Sequence, residues 1–494
     1  MANVVIFADA SVSFGLPIKS SGPYRIATEL RQLGLEVQVI SLFFHFSNDE
    51  IQKICDKFID TKTTMVGLSS NFWFDLNQSQ LEKIDIIRNK IKLCNTKFIL
   101  GGNMSYLFAN RFKFDACFET YSEYKLVNYV NAVLSGGNPP KPDRISDVGT
   151  PTYTSNSTDW YFNNSKILYT KQDCFNYGES TVIEISRGCI FKCGFCLFPL
   201  NGKKKLDYIK EARTFEEEVL ENYENYGIQH YTFSDDTIND STYKLEYLHK
   251  VITNLPFKFK FTGYIRLDLL YAHKEQIQLF SDIGLTGTFF GIESFNHNAA
   301  KIIGKGMKPE KIKEFLYDLK TQYWKDHINI NIGLISGLPA ETIKSHTETI
   351  DYILDTKNCL VDRIHSSPLN IPNPLLNNFT EKSLFELNAT KHGFYWPDKK
   401  SHDWKNFNYE ISSRQQALKL SNEINEAANK TNRIWKSNFG LMITYNMAQF
   451  ADDPKTFDEL QYMSRKDYTN WFTKNIDTMS KRYTEKYKSN ILNL

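Results

Sequence analysis

Two runs of alternating strand-like and helix-like segments fill most of the chain, and a tract rich in Pro, Gly, Ser and Asn parts them. In the first run short apolar stretches, Val4–Ala8, Val37–Leu42, Met65–Ser69, Lys97–Leu100 and Asp115–Phe118, read as strands of a buried parallel sheet. Between them Tyr24–Leu33, Ile51–Phe58 and Leu81–Leu93 read as helices, and Tyr124–Leu134 closes the run. Gly22-Pro23 opens the first helix and Gly34 stops it. Such alternation predicts a doubly wound, Rossmann-like α/β domain over residues 1–136. Its ligand-facing loops would carry Gly15, Ser69-Ser70-Asn71 and Gly101-Gly102-Asn103. The tract that begins Ser135-Gly-Gly-Asn-Pro-Pro and runs to Ser157 reads as linker, taken here as residues 137–175.

The second run has longer repeats. Thr181–Ile185, Tyr231–Ser234, Lys260–Leu267, Thr288–Ile292, Ile328–Ile335 and Ile364–Leu369 read as strands. Thr214–Tyr226, Ser241–Thr253, Lys274–Ile283, Pro309–Gln322 and Thr342–Leu354 read as the intervening helices. Six units suit a partial (β/α)6, TIM-like barrel over residues 176–375, whose chemistry would gather at the carboxyl ends of its strands. After Asn373-Pro374 the repeat stops, and residues 376–494 read as a small, mainly helical region with Ser412–Lys430 as one helix.

Cys189, Cys193 and Cys196 follow the first strand of the second run at the spacing C-x3-C-x2-C. Three thiolates on one short loop can hold three corners of an iron–sulfur cube, leaving the fourth iron open to a small molecule. Phe195 gives that loop an apolar face for a flat ring. A zinc knuckle and three buried core thiols are the other readings. Zinc wants a fourth Cys or His, and Cys174 and His230 are remote in sequence.

Other strand ends carry polar groups of their own. Asp235 and Asp236 can accept hydrogen bonds from an ammonium group or a ribose, or else form a turn and N-cap. Arg266 can pair with a carboxylate of a ligand or of its own surface. Gly291-Ile-Glu293-Ser294 ends the fourth strand, and the fifth ends in Gly333-Leu-Ile-Ser-Gly337, whose glycines let backbone approach a ring. Gly304-Lys305-Gly306 is too short for a phosphate loop, and Glu341 is expected to cap the helix after Pro339.

The cysteine loop, with Phe195 before its last thiol, resembles that of the radical S-adenosylmethionine (radical SAM) superfamily. The Asp-Asp pair, the Gly-Ile-Glu-Ser segment and the Gly-x-Ile-x-Gly segment resemble its later motifs, in order. The first domain, with its βαβ order and Gly101-Gly102, resembles the cobalamin-binding domain that precedes many such cores. The resemblance implies a 4Fe-4S cluster on Cys189, Cys193 and Cys196, and S-adenosylmethionine cleaved reductively to a 5′-deoxyadenosyl radical. It implies cofactor contacts from Phe195, Asp235, Asp236, Arg266, Glu293, Ser294, Gly333 and Gly337, and an electron donor such as flavodoxin. One departure matters: the family motif D-x-H-x-x-G, whose histidine ligates cobalt, is absent from Asp9-Ala-Ser-Val-Ser-Phe-Gly15. With cobalamin the class suggests methyl transfer; without it, rearrangement, cyclisation or oxidation. The substrate would be a small molecule or peptide. A non-catalytic metal-binding protein is the remote alternative, and sulfur insertion is disfavoured because no second cysteine cluster appears.

Composition excludes several classes. A formal charge of +2 gives no reason for an obligatory nucleic-acid partner. No run of 18 apolar residues occurs, and the first residues lack a signal-peptide pattern, so a cytoplasmic protein away from membranes is expected. Eight cysteines without a secretion signal fit a reducing compartment. His402 and Tyr395, in the aromatic stretch after the barrel, are candidates for proton transfer.

Overall fold

The computed structural model describes residues 2–71, 73, 75–102, 104–119, 121–154, 162, 164–196, 208–376, 382–434 and 436–494. Its first sheet has seven strands in the order β2-β1-β3-β4-β5-β7-β6. These are β1 Val4–Ala8, β2 Val37–Ser41, β3 Met65–Ser69, β4 Lys97–Gly101, β5 Ala116–Phe118, β6 Arg144–Ile145 and β7 Pro151–Tyr153. Only β6 runs antiparallel. The apolar runs form strands because both faces are covered: β1 is buried at every position. Capping boxes at Ser47/Glu50 and Asn77/Gln80 start the helices Asn48–Phe58 and Gln78–Cys94. The helix expected from Tyr24 begins at Ser21, so that Pro23 lies in its first turn, where a missing N–H costs nothing.

The linker tract needs correcting. Composition marks it as coil, yet β6 and β7 come from it and complete the sheet edge, with Cys117 and Phe118 in register with Thr152 and Tyr153. Strands of two or three residues leave no periodicity to read. Asn103 and residues 155–157 of that tract lie outside the described residues.

The second sheet has six parallel strands in sequential order, β8 Thr181–Ile183, β9 His230–Phe233, β10 Lys260–Ile265, β11 Leu285–Glu293, β12 Asn329–Ser336 and β13 Arg363–Pro368. Sequential parallel order with helices on the outer face makes an open barrel wall. The expected helix Pro309–Gln322 stops at Asp318 and continues as a π turn over Leu319–Tyr323. The buried Trp324 that follows stacks on Phe290 of the outer face.

The carboxyl-terminal quarter is mainly helical and packs against both sheets. Helix Arg414–Lys430 lies along β13, where Asn425 accepts from Ser366 N–H (2.9 Å) and donates to Ser366 C=O (3.0 Å), covering a strand edge. Helix Asn438–Ala448 crosses β9, β10, β11 and β12, and its Tyr445 ring packs on His230. Helix Arg465–Asn493 returns to the first domain, where Tyr487 Oη accepts from Ser41 N–H at 2.7 Å and Lys488 pairs with Glu50 at 2.7 Å. A shared apolar core joins the last two of these helices to the first sheet. Among the described residues no helix is long and apolar enough to cross a membrane.

Candidate functional site

Side chains alternate along a strand, so register sorts the concave face of the second sheet into levels. Tyr264, Phe289, Asn331 and Arg363 stand in one row across β10 to β13. Two residues nearer the carboxyl ends, Gly291, Gly333 and His365 form the next row, beside Asp236 and Arg266 at the ends of β9 and β10. Ile330, Ile332 and Leu334 point the other way, into the apolar core under the helices.

The three-cysteine loop leaves β8 at this rim. Ile185 donates its N–H to Asp235 (3.1 Å) and accepts from Lys210 N–H (2.8 Å), while Arg187 N–H bonds Tyr208 C=O (2.9 Å). Gly188 has φ +83°, a left-handed conformation that favours glycine, and it turns the chain into the loop. A Cβ on Gly194 would stand 3.1 Å from the Phe385 ring, and Phe385 N–H bonds Gly194 C=O at 2.9 Å. All three thiols are half-buried. Cys189 Sγ lies 3.6 Å from Thr237 Oγ1, and Arg266 Nη1 donates to Cys193 Sγ at 3.6 Å. Phe195 packs against the aromatic cluster of Phe385, Phe394 and Trp404.

Among the described residues no three His, Cys, Asp or Glu side chains converge as the ligands of one ion would. A zinc ion requires every ligand within about 2.3 Å of one point. In a cube each thiolate meets a different iron, so the sulfurs stay apart while sharing one loop. The donor set, three half-buried thiols with a guanidinium alongside, fits the cube and leaves the zinc knuckle without its ligands.

The paired aspartates separate into two roles. Asp235 is buried and committed: it accepts from Ile185 N–H and from the Ser186 hydroxyl, and burial pushes it up to about 6. Lys244, fully buried, completes this knot by donating to Ser186 Oγ (3.0 Å) and Thr237 C=O (2.6 Å) and pairing with Asp240 (2.6 Å). Asp236 is half-buried, and among the described residues its carboxylate accepts no hydrogen bond. Burial, then the charge of Asp235, pushes it up to about 7. The N-cap reading fails for both, since the next helix starts at Thr242. Of the pair, only Asp236 is open to a ligand.

Arg266 lies 3.8 Å from the Phe191 ring centroid and grips Asp268 through Nε (3.0 Å) and Nη2 (2.5 Å). Glu293 has φ +66° at a register shift between β11 and β12, a strained position for a residue with a side chain, and it pairs with Lys305 at 2.8 Å. Ser294 Oγ donates to Glu341 Oε1 at 2.6 Å. Glu341 does not cap the following helix; Thr342 and Ser345 do that with a capping box. Instead Glu341 accepts from Gly337 N–H (2.8 Å) and Leu338 N–H (3.1 Å), tying the ends of β11 and β12 together, and burial pushes it up to about 7. A Cβ on Gly333 would meet the Phe289 ring at 2.5 Å, which keeps the inner wall flat there. Gly337, at φ +92°, faces Ala417 and Trp404, where a Cβ would stand 2.6 Å from Ala417 Cβ.

A buried charge network that sequence reasoning missed joins the two domains behind the cysteine loop. Arg187 meets Glu184 (2.8 Å) and Glu123 (2.6 Å), and Arg25 meets Glu184 (2.7 Å). Arg187 also lies over the Tyr121 ring at 4.4 Å. Each member belongs to a different local pattern, so no window of sequence displays it. His402 does not reach the rim: its Nδ1 accepts from Asn373 N–H at 3.0 Å, and Tyr395 lies against Phe407.

The first domain's strand ends are filled by the chain's own side chains. Asp9 accepts from Ser11 N–H and Phe44 N–H, each at 2.9 Å, and Ser11 Oγ is 2.8 Å from His45 Nε2. Trp73 is 1% exposed, donates Nε1–H to Asp9 C=O at 2.7 Å, and packs among Phe43, Phe44 and Phe108. A corrin ring over the end of β1 would require Trp73 to move.

Comparison with known proteins bears on both domains. Residues 183–353 match the model of the Radical SAM superfamily. Over 224 residues the chain is 26% identical to an uncharacterized methyltransferase of Pyrococcus horikoshii, covering 43% of each, so it spans under half the length of that relative. The radical S-adenosylmethionine methyltransferase TsrM from Kitasatospora setae, solved with cobalamin and a [4Fe-4S] cluster, has the same fold: TM-score 0.63, 13% identity, 98% of this chain and 99% of that one. The cobalamin-dependent S-adenosylmethionine radical enzyme OxsB, solved with aqua-cobalamin and S-adenosylmethionine, matches at TM-score 0.57 and 15% identity over 96% of this chain and 67% of its own.

Proposed function

We propose, for a chain that belongs to the radical SAM superfamily through residues 183–353, that the rim of the second sheet binds S-adenosylmethionine and directs a radical onto a substrate held below it. The observation that carries this reading is the three-thiol loop at the end of β8, beside an uncommitted Asp236 and the Arg266 guanidinium. Cys189, Cys193 and Cys196 would hold the cluster, which when bound supplies the electron that breaks the sulfonium–C5′ bond.

The chain's residues provide orientation. Asp236 offers its carboxylate to the methionine ammonium, and Arg266 holds positive charge beside Cys193 and the methionine carboxylate. The flat wall at Gly291 and Gly333 accommodates the adenosine, with the Ser294–Glu341–Gly337 tie fixing the strand ends that frame it. The aromatic patch of Phe385, Phe394 and Trp404 behind Phe195 keeps the loop dry on its outer side.

The reaction class that follows is hydrogen abstraction by the 5′-deoxyadenosyl group from an unactivated position, leading to rearrangement, cyclisation or oxidation. A second reading, methyl transfer assisted by cobalamin, is favoured by the likeness to TsrM along almost the whole chain. It requires Trp73 to move aside. Protein purified without oxygen, reconstituted with iron and sulfide and given dithionite and S-adenosylmethionine, is expected to release 5′-deoxyadenosine. Bound cobalt after incubation with hydroxocobalamin separates the two readings: stoichiometric cobalt favours methyl transfer, and none favours abstraction alone.

A further inference from the structure

The concave face below the rim holds a charge that no carboxylate among the described residues answers. Arg25, Arg187 and Arg266 each meet a carboxylate. Arg433, fully buried, gives its nitrogens to the carbonyls of Val361, Ile353 and Cys359. Arg363, on β13, differs from all of these. Its Nε donates to Ile434 C=O at 2.8 Å, but among the described residues no carboxylate pairs with it and its terminal nitrogens take no hydrogen bond. Burial pulls its pKa down, which is the cost of holding a guanidinium in protein without a counter-charge.

The inner face in front of it is open to solvent. Tyr264 and His365 share this inner face, and Tyr264 is 48% exposed although the surrounding protein pushes its phenol up. His365 is exposed as well, so this inner face is open to a solvent-sized molecule. Helix Asn438–Ala448 runs across the strands on the side away from the rim. The wall beside Arg363 is aromatic, with the Tyr264 and Phe289 rings edge to face at 5.2 Å. Between Phe289 and Arg363 in the row stands Asn331, 1% exposed, whose Oδ1 has no hydrogen-bond partner.

We propose that this face is the substrate site, and that it takes a carboxylated ring compound: the carboxylate on Arg363 and the ring on Tyr264 and Phe289. The proposal deepens the radical reading and rests on it for what happens to the substrate, but not for what binds. A guanidinium with its two terminal nitrogens free presents the fork that receives a carboxylate in two parallel hydrogen bonds. The cofactor's own carboxylate is not the occupant. Its place is beside the cysteine loop after β8, and β13 is the opposite edge of the sheet. Arg363 also lies one row below Gly333 and His365, which puts the substrate beneath the cofactor rather than beside the thiols.

The test uses reconstituted full-length protein and equilibrium dialysis against three acids, indole-3-acetate, pyrrole-2-carboxylate and L-tryptophan, each paired with its primary amide. Wild type is expected to retain at least one acid about tenfold more tightly than its amide. Arg363→Gln is expected to erase that preference and Arg363→Lys to keep part of it, both with unchanged affinity for S-adenosylmethionine. Three results each overturn the proposal: no acid preferred over its amide by wild type, a preference that survives in Arg363→Gln, or a loss of S-adenosylmethionine affinity in that variant. The first needs no variant, so misfolding of a variant does not shelter the idea. Release of 5′-deoxyadenosine is read on the same samples. Its absence in wild type would defeat the cofactor reading while leaving the acid preference to be judged by dialysis.

Discussion

The chain builds two sheets, one wholly and one largely parallel, whose carboxyl ends obey the same rule for placing ligands, and the two ends have been finished differently. Over the first sheet the polar groups at the end of β1 are answered from within: Asp9 by Ser11 and Phe44, Trp73 by Asp9, Ser11 by His45. Over the second sheet the supports are answered and the groups they support are not. Asp235, Lys244 and Glu341 spend their hydrogen bonds on backbone and on neighbouring hydroxyls. Asp236 and the Arg363 fork are left over. Unmet polar demand, rather than strand-end position alone, distinguishes a working rim from a scaffold.

The sharpest way to break that contrast is at the thiols. Cys193→Ala should abolish iron loading and 5′-deoxyadenosine formation while circular dichroism shows a folded chain; a variant that keeps both would remove the cluster from the account. Next in size is the first sheet. Trp73→Ala should cost about 3–5 kcal/mol in denaturant unfolding, as expected for a large buried ring, yet leave iron content unchanged. Loss of iron in that variant would mean that the two rims are not independent.

The adjacent aspartates give a finer cut. Asp235→Asn should destabilise by about 2–3 kcal/mol, since it disturbs a buried carboxylate that two donors depend on. Asp236→Asn should not destabilise, and above about pH 7 should stabilise, while weakening S-adenosylmethionine binding by about tenfold. Calorimetric titration and unfolding on both variants decide this, and equal effects at the two positions would erase the division of roles.

The smallest effect is on pH. Asp236 is pushed up to about 7, so between about pH 6 and about pH 8 its carboxyl passes from mostly neutral to mostly charged. An ammonium partner prefers the charged form, so affinity for S-adenosylmethionine should rise with pH across that window, several-fold at most, and Asp236→Asn should flatten it. Stability moves the other way. A carboxyl whose folded pKa is raised binds protons more readily in the folded chain, so its contribution is lost as pH rises from about 4 through about 7.

Much of this was legible in the sequence where a local pattern carries it. The strands of both sheets follow from apolar runs and their turns, and the thiol loop from its spacing. Asp235 and Asp236 read alike in sequence; what separates them is that Ile185 and Ser186, some fifty positions earlier, lie against one and not the other. Glu341 looked like a helix cap because Thr342 and Ser345, which make the cap, are as common in other roles. The linker tract misled because β6 and β7 are too short for periodicity. Arg363 left no signal at all, since an arginine on a strand is ordinary until the partner it lacks can be looked for in space.

The measurement that bears most directly on the account is 5′-deoxyadenosine release by the oxygen-free, iron- and sulfide-reconstituted protein, read with its iron content. About four irons per chain in a cluster, with nucleoside formed on adding dithionite and S-adenosylmethionine, is the result expected. Zinc in place of iron, or a loaded cluster that releases no nucleoside, would contradict the claim that the rim of the second sheet is where this protein does its chemistry.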